Sequence, residues 1–375
     1  MAAMRRVHAL NFIRTMAVTT VAFLAPLRFL ELGFGGAGIG LIVALFASAP
    51  LVFSFPTGWL NDRVSMKAVI GGSLLAMSAL FAAMTVVRDV VPMAAVFLLL
   101  GVANSAFNVS INSLYFKDGT ETDPNRKYGR YIGWLSLGPP AGLLLGSFVA
   151  RVAGFRTLLG IMAALTVLAA AAVRGLGEER FAAVSIRDYR FSVFNKRTLL
   201  FSAFLVVLAL HWGTELTVYG PFLRTRLGLS DSGVALYMAG AYMALASAAF
   251  LAGRLKFDPA RNRRLFLAGI TMSGLGLILM TVGDVRLSFV FRFLHEGGDG
   301  LTGAMAILTM SRLFEKKTIG GSAGIITALQ TSGHIAGSLF FSWLGFRAGL
   351  QVPMIVAGAI LLANAVFGLV AVPRE

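Results

Sequence analysis

The residues best suited to chemistry are six ionisable side chains in the second half of the chain. His211 and Glu215 stand four apart and so share one face of a helix. Arg292, His295, Glu296 and Asp299 follow in one short stretch, with 292, 296 and 299 on a common face. Histidine changes charge near neutral pH, and a carboxylate withdrawn from water can be brought into the same range. Such groups can take up and release a proton. His334 stands alone further on, and the first half offers Arg14, Arg28 and, three residues beyond it, Glu31. Asn104, Asn108 and Asn112 recur at spacing four, a stripe of amides able to hold a polar solute.

The expectation is a division of labour. Asn104, Asn108, Asn112, Arg14, Arg28 and Arg292 are candidates for a solute cavity, and His211, Glu215, His295, Glu296, Asp299 and His334 for handling protons. Plainer roles stay open for each. Glu215 can be a structural partner of Arg292, and Arg292–Glu296 a pair within one helix. His211 can be a helix contact and His334 a satisfied interior histidine. The amides can be interhelical glue, each bond worth on the order of 1 kcal/mol. Arg28 and Glu31 can be a gate or an interfacial pair.

Composition shows what must position these groups. The 375 residues are 57% hydrophobic and 13% charged, against roughly 45–50% and 25% in soluble domains. Such a chain cannot cover its surface with polar groups, whereas a bilayer needs no such cover. Thirty Phe suit a lipid-facing surface and 42 Gly allow close helix packing. With no Cys, disulfides and Cys-ligated metals are excluded. A net charge of +16 raises nucleic acid as a partner. The basic residues sit in short connections between apolar stretches, however, not on a basic face interleaved with aromatics.

A span needs about 20 apolar residues. The sequence predicts an all-α membrane protein with twelve, near 9–32, 37–57, 67–88, 91–116, 128–150, 155–174, 198–223, 232–254, 264–283, 286–312, 320–344 and 352–372. Residues 1–174 would form one six-helix bundle and 198–375 another, joined by a cytoplasmic linker, 175–197. Arg187, Arg190, Lys196 and Arg197 suggest a short interfacial helix in that linker. With the N-terminus inside, cytoplasmic segments hold roughly 23 Lys and Arg and the opposite ones about 8. Both termini are therefore expected in the cytoplasm. Residues 1–32 run into a full span without a clear cleavage site, so the N-terminus is expected to be kept.

The halves repeat at an offset of about 195 residues. Pro26, Leu32, Gly33 and Gly38 recur as Pro221, Leu227, Gly228 and Gly233, and Gly58 as Gly253. Gly138 and Gly142 recur as Gly333 and Gly337. Six helices, an even number, separate the copies, which predicts a parallel repeat about the membrane normal. The ionisable groups do not repeat: Arg292 falls on Phe97 and Asp299 on Asn104.

The stretch Gly58-Trp59-Leu60-Asn61-Asp62-Arg63, with Lys67 beyond it, resembles the signature loop between helices two and three of the major facilitator superfamily. Ser65 and Met66 depart from that pattern, where Gly and Arg are usual. Gly133, Gly138, Pro139 and Gly142 resemble the Gly-Pro motif common among the family's proton-coupled exporters. The family often has an Arg in helix four at the place of Phe97, so that residue's relay role is not carried over. The resemblance implies that helices one, four, seven and ten line a central cavity. It also implies that Gly58, Asp62, Arg63 and Lys67 form a conformational latch. Physically, a carboxylate there can meet the positive end of a neighbouring helix. Gly138, Pro139 and Gly142 can act as a hinge, or simply bend and pack a helix.

The functional expectation is a secondary transporter of a small solute working by alternating access, proton-coupled and leaning towards export. It is expected to sit in the cytoplasmic membrane, to be a monomer, and to need no cofactor or metal. A pump driven by nucleotide is disfavoured, since no Gly-x4-Gly-Lys-Ser/Thr loop occurs. Two rivals stay open. One is a non-transporting receptor or assembly protein on the same fold. The other is a membrane-embedded enzyme, disfavoured because the histidines lack ligand spacing.

Overall fold

A computed structural model describes residues 2–118, 122–176, 185, 187–189 and 194–373. They are helical almost throughout, with no strand among the described residues. The long helices are α1 Ala2–Glu31, α2 Gly36–Asn61, α3 Met66–Ala83, α4 Val90–Lys117, α5 Pro124–Ala153 and α6 Phe155–Ala172. They continue with α7 Lys196–Thr225, α8 Asp231–Ala252, α9 Pro259–Leu279, α10 Val285–Leu313, α11 Ile319–Ala348 and α12 Gln351–Ala371. Among the described residues nine are long and apolar enough to cross a membrane, namely α1 to α8 and α12. The other three are more polar: α9 opens on Arg261, Arg263 and Arg264, α10 carries Arg292, Glu296 and Asp299, and α11 is rich in Gly, Ser and Thr. The interfacial helix expected within 175–197 falls mostly outside the described residues, Arg190 included. Residues 187–189 form a helical turn that carries Tyr189.

The expected repeat recurs in the backbone. Gly33, Gly154, Gly228 and Gly349 have φ of 81°, 84°, 66° and 95°. They form two pairs at the repeat offset, each ending or preceding a helix with a conformation that costs glycine little. The packing repeats as well. In the first half α2 packs on α4, α3 on α4, α3 on α6, and α1 on α6. In the second, α8 packs on α10, α9 on α10, α9 on α12, and α7 on α12. These are the same four pairings, six helices on.

Two compact units result. One comprises Met1–Thr120, Leu137–Arg190 and Phe314–Ala328; the other comprises Glu121–Ser136, Phe191–Leu313 and Leu329–Glu375. By packing, α5 and α11 are thus each divided, and the N-terminal end of each belongs with the other half of the chain. Tight seams cause this. In the first unit, a Cβ on Gly58 of α2 would fall 2.7 Å from the Gly320 carbonyl carbon and 2.9 Å from Gly321 Cα, at the start of α11. In the second, a Cβ on Gly129 of α5 would lie 2.6 Å from Gly253 Cα at the end of α8. Only glycine permits either approach.

Candidate functional site

The ionisable group of the second unit is assembled from α7 and α10 and backed by α9. Helix α7 is regular over Lys196–Thr214, then widens into a π turn at Glu215–Tyr219 before finishing as Gly220–Thr225. Such turns cost regular hydrogen bonding and tend to occur where a side chain must be re-aimed. Here Glu215 opens the turn. On α9, a Cβ at Gly276 would come 2.6 Å from the His295 backbone nitrogen, and one on Gly298 of α10 would come 2.5 Å from Ser273 N. The glycines therefore let the α9 and α10 backbones meet, which brings the Ser273 carbonyl within reach of His295.

All six side chains singled out in the sequence come together. Arg292 Nη1 lies 2.5 Å from Glu215 Oε1, and Nη2 bonds Glu296 Oε1 one turn along α10. His295 Nε2 meets the same Glu215 oxygen at 2.6 Å, while His211 Nε2 lies 3.0 Å from Asp299 Oδ2. The two imidazole rings stand 5.6 Å apart and nearly perpendicular. Arg292, His295, Glu296 and His211 are buried; Glu215 and Asp299 keep 19% and 12% of their side chains exposed. The structural pairing of Glu215 with Arg292 is therefore realised, and so is a carboxylate for each histidine. A buried pair gains from Coulomb attraction only when its remaining bonds are satisfied. This cluster meets most of that condition with contacts that span three helices, leaving Arg292 Nε and Asp299 Oδ1 without a hydrogen-bond partner among the described residues.

On one side the cluster is closed by aromatic residues the sequence did not single out. The Arg292 guanidinium sits 4.5 Å from the centre of the Tyr219 ring, an attraction that strengthens away from water. Tyr219 OH donates to Tyr237 OH at 3.0 Å, Tyr237 OH lies 3.0 Å from Ser288 Oγ, and Ser288 donates to the Met280 carbonyl at 2.7 Å. The chain ends on a carbonyl, which cannot pass a proton onward. His334 on α11 is not brought into the cluster's bonds. It stands edge-on to Trp212, ring centres 6.3 Å apart.

His211, His295 and Asp299 present ligand atoms within 4.8 Å of one another, close enough to gather round a cation. The surroundings fit this poorly. Each Nε2 is already engaged by a carboxylate oxygen, and the Arg292 guanidinium shares Glu215 with His295. A divalent ion would sit beside a fixed positive charge in a medium that screens little.

In the first unit, Arg14 of α1 donates to Asn104 Oδ1 of α4 at 2.8 Å and lies 5.4 Å from the Phe107 ring centre. Two cavity candidates thus touch. Asn104, Asn108 and Asn112 are all half-buried, while their neighbours on the other faces of α4 are mostly buried, so the amides do share the more open face. Arg28 is elsewhere, in a surface pair with Glu31 at 2.5 Å. Gly138 and Gly142 pack against α1: a Cβ on them would fall 2.8 Å from Met16 N and 2.5 Å from Met16 O. Helix α5 runs unbroken through Pro139 and Pro140.

The loop motif centres on Asp62. Its Oδ2 accepts from Gly321 N, in the first turn of α11, at 2.9 Å, the helix-end contact anticipated from electrostatics. Two further partners were not anticipated. Lys117 Nζ, at the end of α4, lies 2.8 Å from Oδ1 with both side chains fully buried, and Tyr189 OH donates to Oδ2 at 2.9 Å. Burial, and then the neighbouring Asp62 charge, push the Tyr189 phenol up from its ordinary value, so it remains a donor. Arg63 turns away to stack on Trp59, 3.9 Å from the ring centre, and Lys67 is half-buried on α3. Nothing in the sequence distinguished Lys117 from the many basic residues that flank helices.

Comparison with known proteins followed the same direction. The Major Facilitator Superfamily matches residues 7–260. Among solved structures, the human organic anion transporter MFSD10 (TETRAN) superposes with a TM-score of 0.81 at 15% identity, covering 97% of this chain and 99% of that one. No curated protein matches.

Proposed function

The chain belongs to the major facilitator superfamily, and from that premise we propose that this membrane transporter is a proton-coupled secondary carrier of a small solute. In this reading twelve helices span the cytoplasmic membrane, both termini lie inside, and the two halves alternate access to a site. The observation that carries the coupling is the cluster of Glu215, Arg292, His295, Glu296, His211 and Asp299. A charged group at mid-membrane costs about 2.5–3.5 kcal/mol on insertion scales, so six in contact need a use. Its titratable members include two histidines, each on a carboxylate, an arrangement suited to taking up and releasing protons.

Arg14 with Asn104, on the open face of α4, is where a solute would be held. A cation beside amides suits an organic anion, the cargo named for the structural neighbour. Asp62, held by Lys117, Tyr189 and the start of α11, is the latch that forms in one state and releases in the other. The Gly138-Pro139 segment leans the direction towards export.

The test begins with thermal stabilisation by a panel of organic anions, since a ligand of the folded state raises the melting point. A stabilising anion is then followed in proteoliposomes under an imposed pH gradient. Wild type should move it with the gradient and the E215Q/D299N protein should not. Retained pH-driven transport in that double variant would remove the proton reading, and a panel that neither binds nor moves would favour a receptor.

A further inference from the structure

Both histidines of the cluster are held at Nδ1 by a backbone carbonyl and at Nε2 by a carboxylate. At His295 the Ser273 hydroxyl, which can donate or accept, also lies 3.0 Å from Nδ1, beyond the carbonyl. Nδ1 of His211 faces the Leu208 carbonyl, and Nδ1 of His295 lies 2.8 Å from the Ser273 carbonyl. A carbonyl has no proton to give, so each Nδ1 must be the donor. On the opposite edge, His211 Nε2 lies 3.0 Å from Asp299 Oδ2 and His295 Nε2 lies 2.6 Å from Glu215 Oε1. An ionised carboxylate also only accepts. A neutral imidazole already protonated at Nδ1 would aim a bare lone pair at that oxygen. Contact at such distances needs one proton between the two atoms, and the imidazole, ordinarily the stronger base of the two, carries it.

The charges agree with this. When each pair holds its proton, Arg292, His211 and His295 balance Glu215, Glu296 and Asp299. Loss of both protons leaves two negative charges without partners in a buried setting, which only a large change in surroundings can tolerate. The titratable neighbours are Tyr219 on α7, Tyr237 and Tyr242 on α8 and His334 on α11, while α9 presents Ser273.

The pairs share no hydrogen bond among the described residues, although Asp299 and both histidines present atoms within 4.8 Å of one another. Glu215 divides one oxygen between His295 and Arg292, whereas Asp299 bonds His211 and its Oδ1 has no hydrogen-bond partner among the described residues. The exposed edge of each pair is its carboxylate, and each histidine lies behind it. We propose that the cluster carries two protons per transport cycle, one in the His211–Asp299 pair and one in the His295–Glu215 pair. Each proton enters at the carboxylate, is held against the imidazole, and leaves by the same oxygen; the cluster then passes from neutral to a charge of minus two. This count rests on the proton-coupled reading above.

The chain has four histidines, His8, His211, His295 and His334, so nitrogen-15 histidine spectra of the full-length protein in lipid can resolve them all. Signals are assigned with H211Q and H295Q. The expected result at neutral pH is two rings protonated at both nitrogens. D299N should return His211 alone to the singly protonated form and E215Q should do the same for His295. His8, packed near Tyr115 in the first unit, reports that each variant is folded, and H334Q should leave both doubly protonated signals in place. One such ring or none in wild type would overturn the two-proton count. So would a D299N spectrum in which both signals vanish together. The pH-driven flux of wild type is read separately: if it persists with one protonated ring, the coupling reading stands and only the count falls.

Discussion

The crossing of α1 with α4 and the crossing of α7 with α10 occupy equivalent places in the repeat, yet they hold opposite chemistry. At the 195-residue offset, Met16 and Thr20 stand where His211 and Glu215 do, and Phe97, Leu100, Gly101 and Asn104 stand for Arg292, His295, Glu296 and Asp299. The first set is mostly apolar, with Asn104 at its edge accepting from Arg14 at 2.8 Å and no carboxylate or histidine. Thr20 returns its hydroxyl to the Met16 carbonyl at 2.7 Å, and Phe97 packs edge-on to Phe29 at 5.3 Å. In the second set each ionisable side chain finds at least one partner on another helix or the next turn. One backbone arrangement therefore tolerates either solution. The fold does not require the charges, and their presence in one copy points to use rather than architecture.

The seams at the helix ends show the same asymmetry in reverse. In the first unit Asp62, Lys117, Tyr189 and Gly321 N make a buried ionic junction. In the second, Phe257 takes the place of Asp62, and a reciprocal amide pair closes the seam instead. Asn125 Nδ2 donates to Asn262 Oδ1 at 2.9 Å and Asn262 Nδ2 returns the bond at 2.6 Å. A neutral pair carries less desolvation cost and less electrostatic reach than an ionic one. The second seam still has charged groups, since Phe257 N donates to Asp123 Oδ2 at 3.3 Å and Arg312 lies 4.6 Å from the Phe257 ring centre. Its buried bond is between amides, however, whereas the first seam buries an ion pair.

Substitutions that make one region resemble the other should break or sharpen this contrast. The largest effect is expected from R292M, which takes the cation from Glu296 and leaves Glu215 to His295; loss of one partner of a buried pair costs about 3–5 kcal/mol. Thermal unfolding in detergent should show it, and F97L at the equivalent place should cost only about 1 kcal/mol. K117M comes next, at about 3 kcal/mol, because it removes the buried cation that pairs with Asp62. D62N in the same background should recover part of that loss. N125A in the neutral seam leaves Asn262 unsatisfied and should cost about 1–3 kcal/mol. If it equals K117M or exceeds it, the two seams do not differ as described.

The smallest change is Y189F, about 1 kcal/mol. Its dependence on pH has a definite sign. The folded phenol is raised above the unfolded value of 10.0, so its contribution is complete below that pH and declines as pH climbs further. The difference in melting point between wild type and Y189F should therefore hold steady up to pH about 10 and shrink beyond it.

Much of the fold was legible because it rests on backbone demands. Gly33 with Gly228, and Gly154 with Gly349, mark helix ends that another residue fills poorly, so they recur at fixed spacing and reveal the repeat. The site's members were legible for a different reason: an ionisable group among apolar residues is conspicuous, and His211, Glu215, Arg292, His295, Glu296 and Asp299 all proved to converge. Their partnerships were not legible. Arg292 reaches both its own helix and Glu215 on α7, and the Ser273 carbonyl that fixes His295 is backbone, which no side-chain pattern announces. Lys117 was hidden among lysines and arginines with an ordinary topological reason to lie at helix ends. Tyr189 was hidden because an isolated tyrosine in a linker has no periodicity to betray its burial.

The central claim is that the charged crossing of the second unit handles protons while the mostly apolar crossing of the first does not. That contrast, between a proton-handling cluster and a first crossing that holds Asn104 for solute, is tested most directly by pH-gradient-driven solute flux in proteoliposomes with E215Q/D299N, beside T20V/N104L at the equivalent places. The account predicts that E215Q/D299N still binds a stabilising anion but no longer responds to the gradient, whereas T20V/N104L weakens binding and keeps whatever flux remains tied to the gradient. A pH-driven flux that survives E215Q/D299N and disappears in T20V/N104L would contradict it.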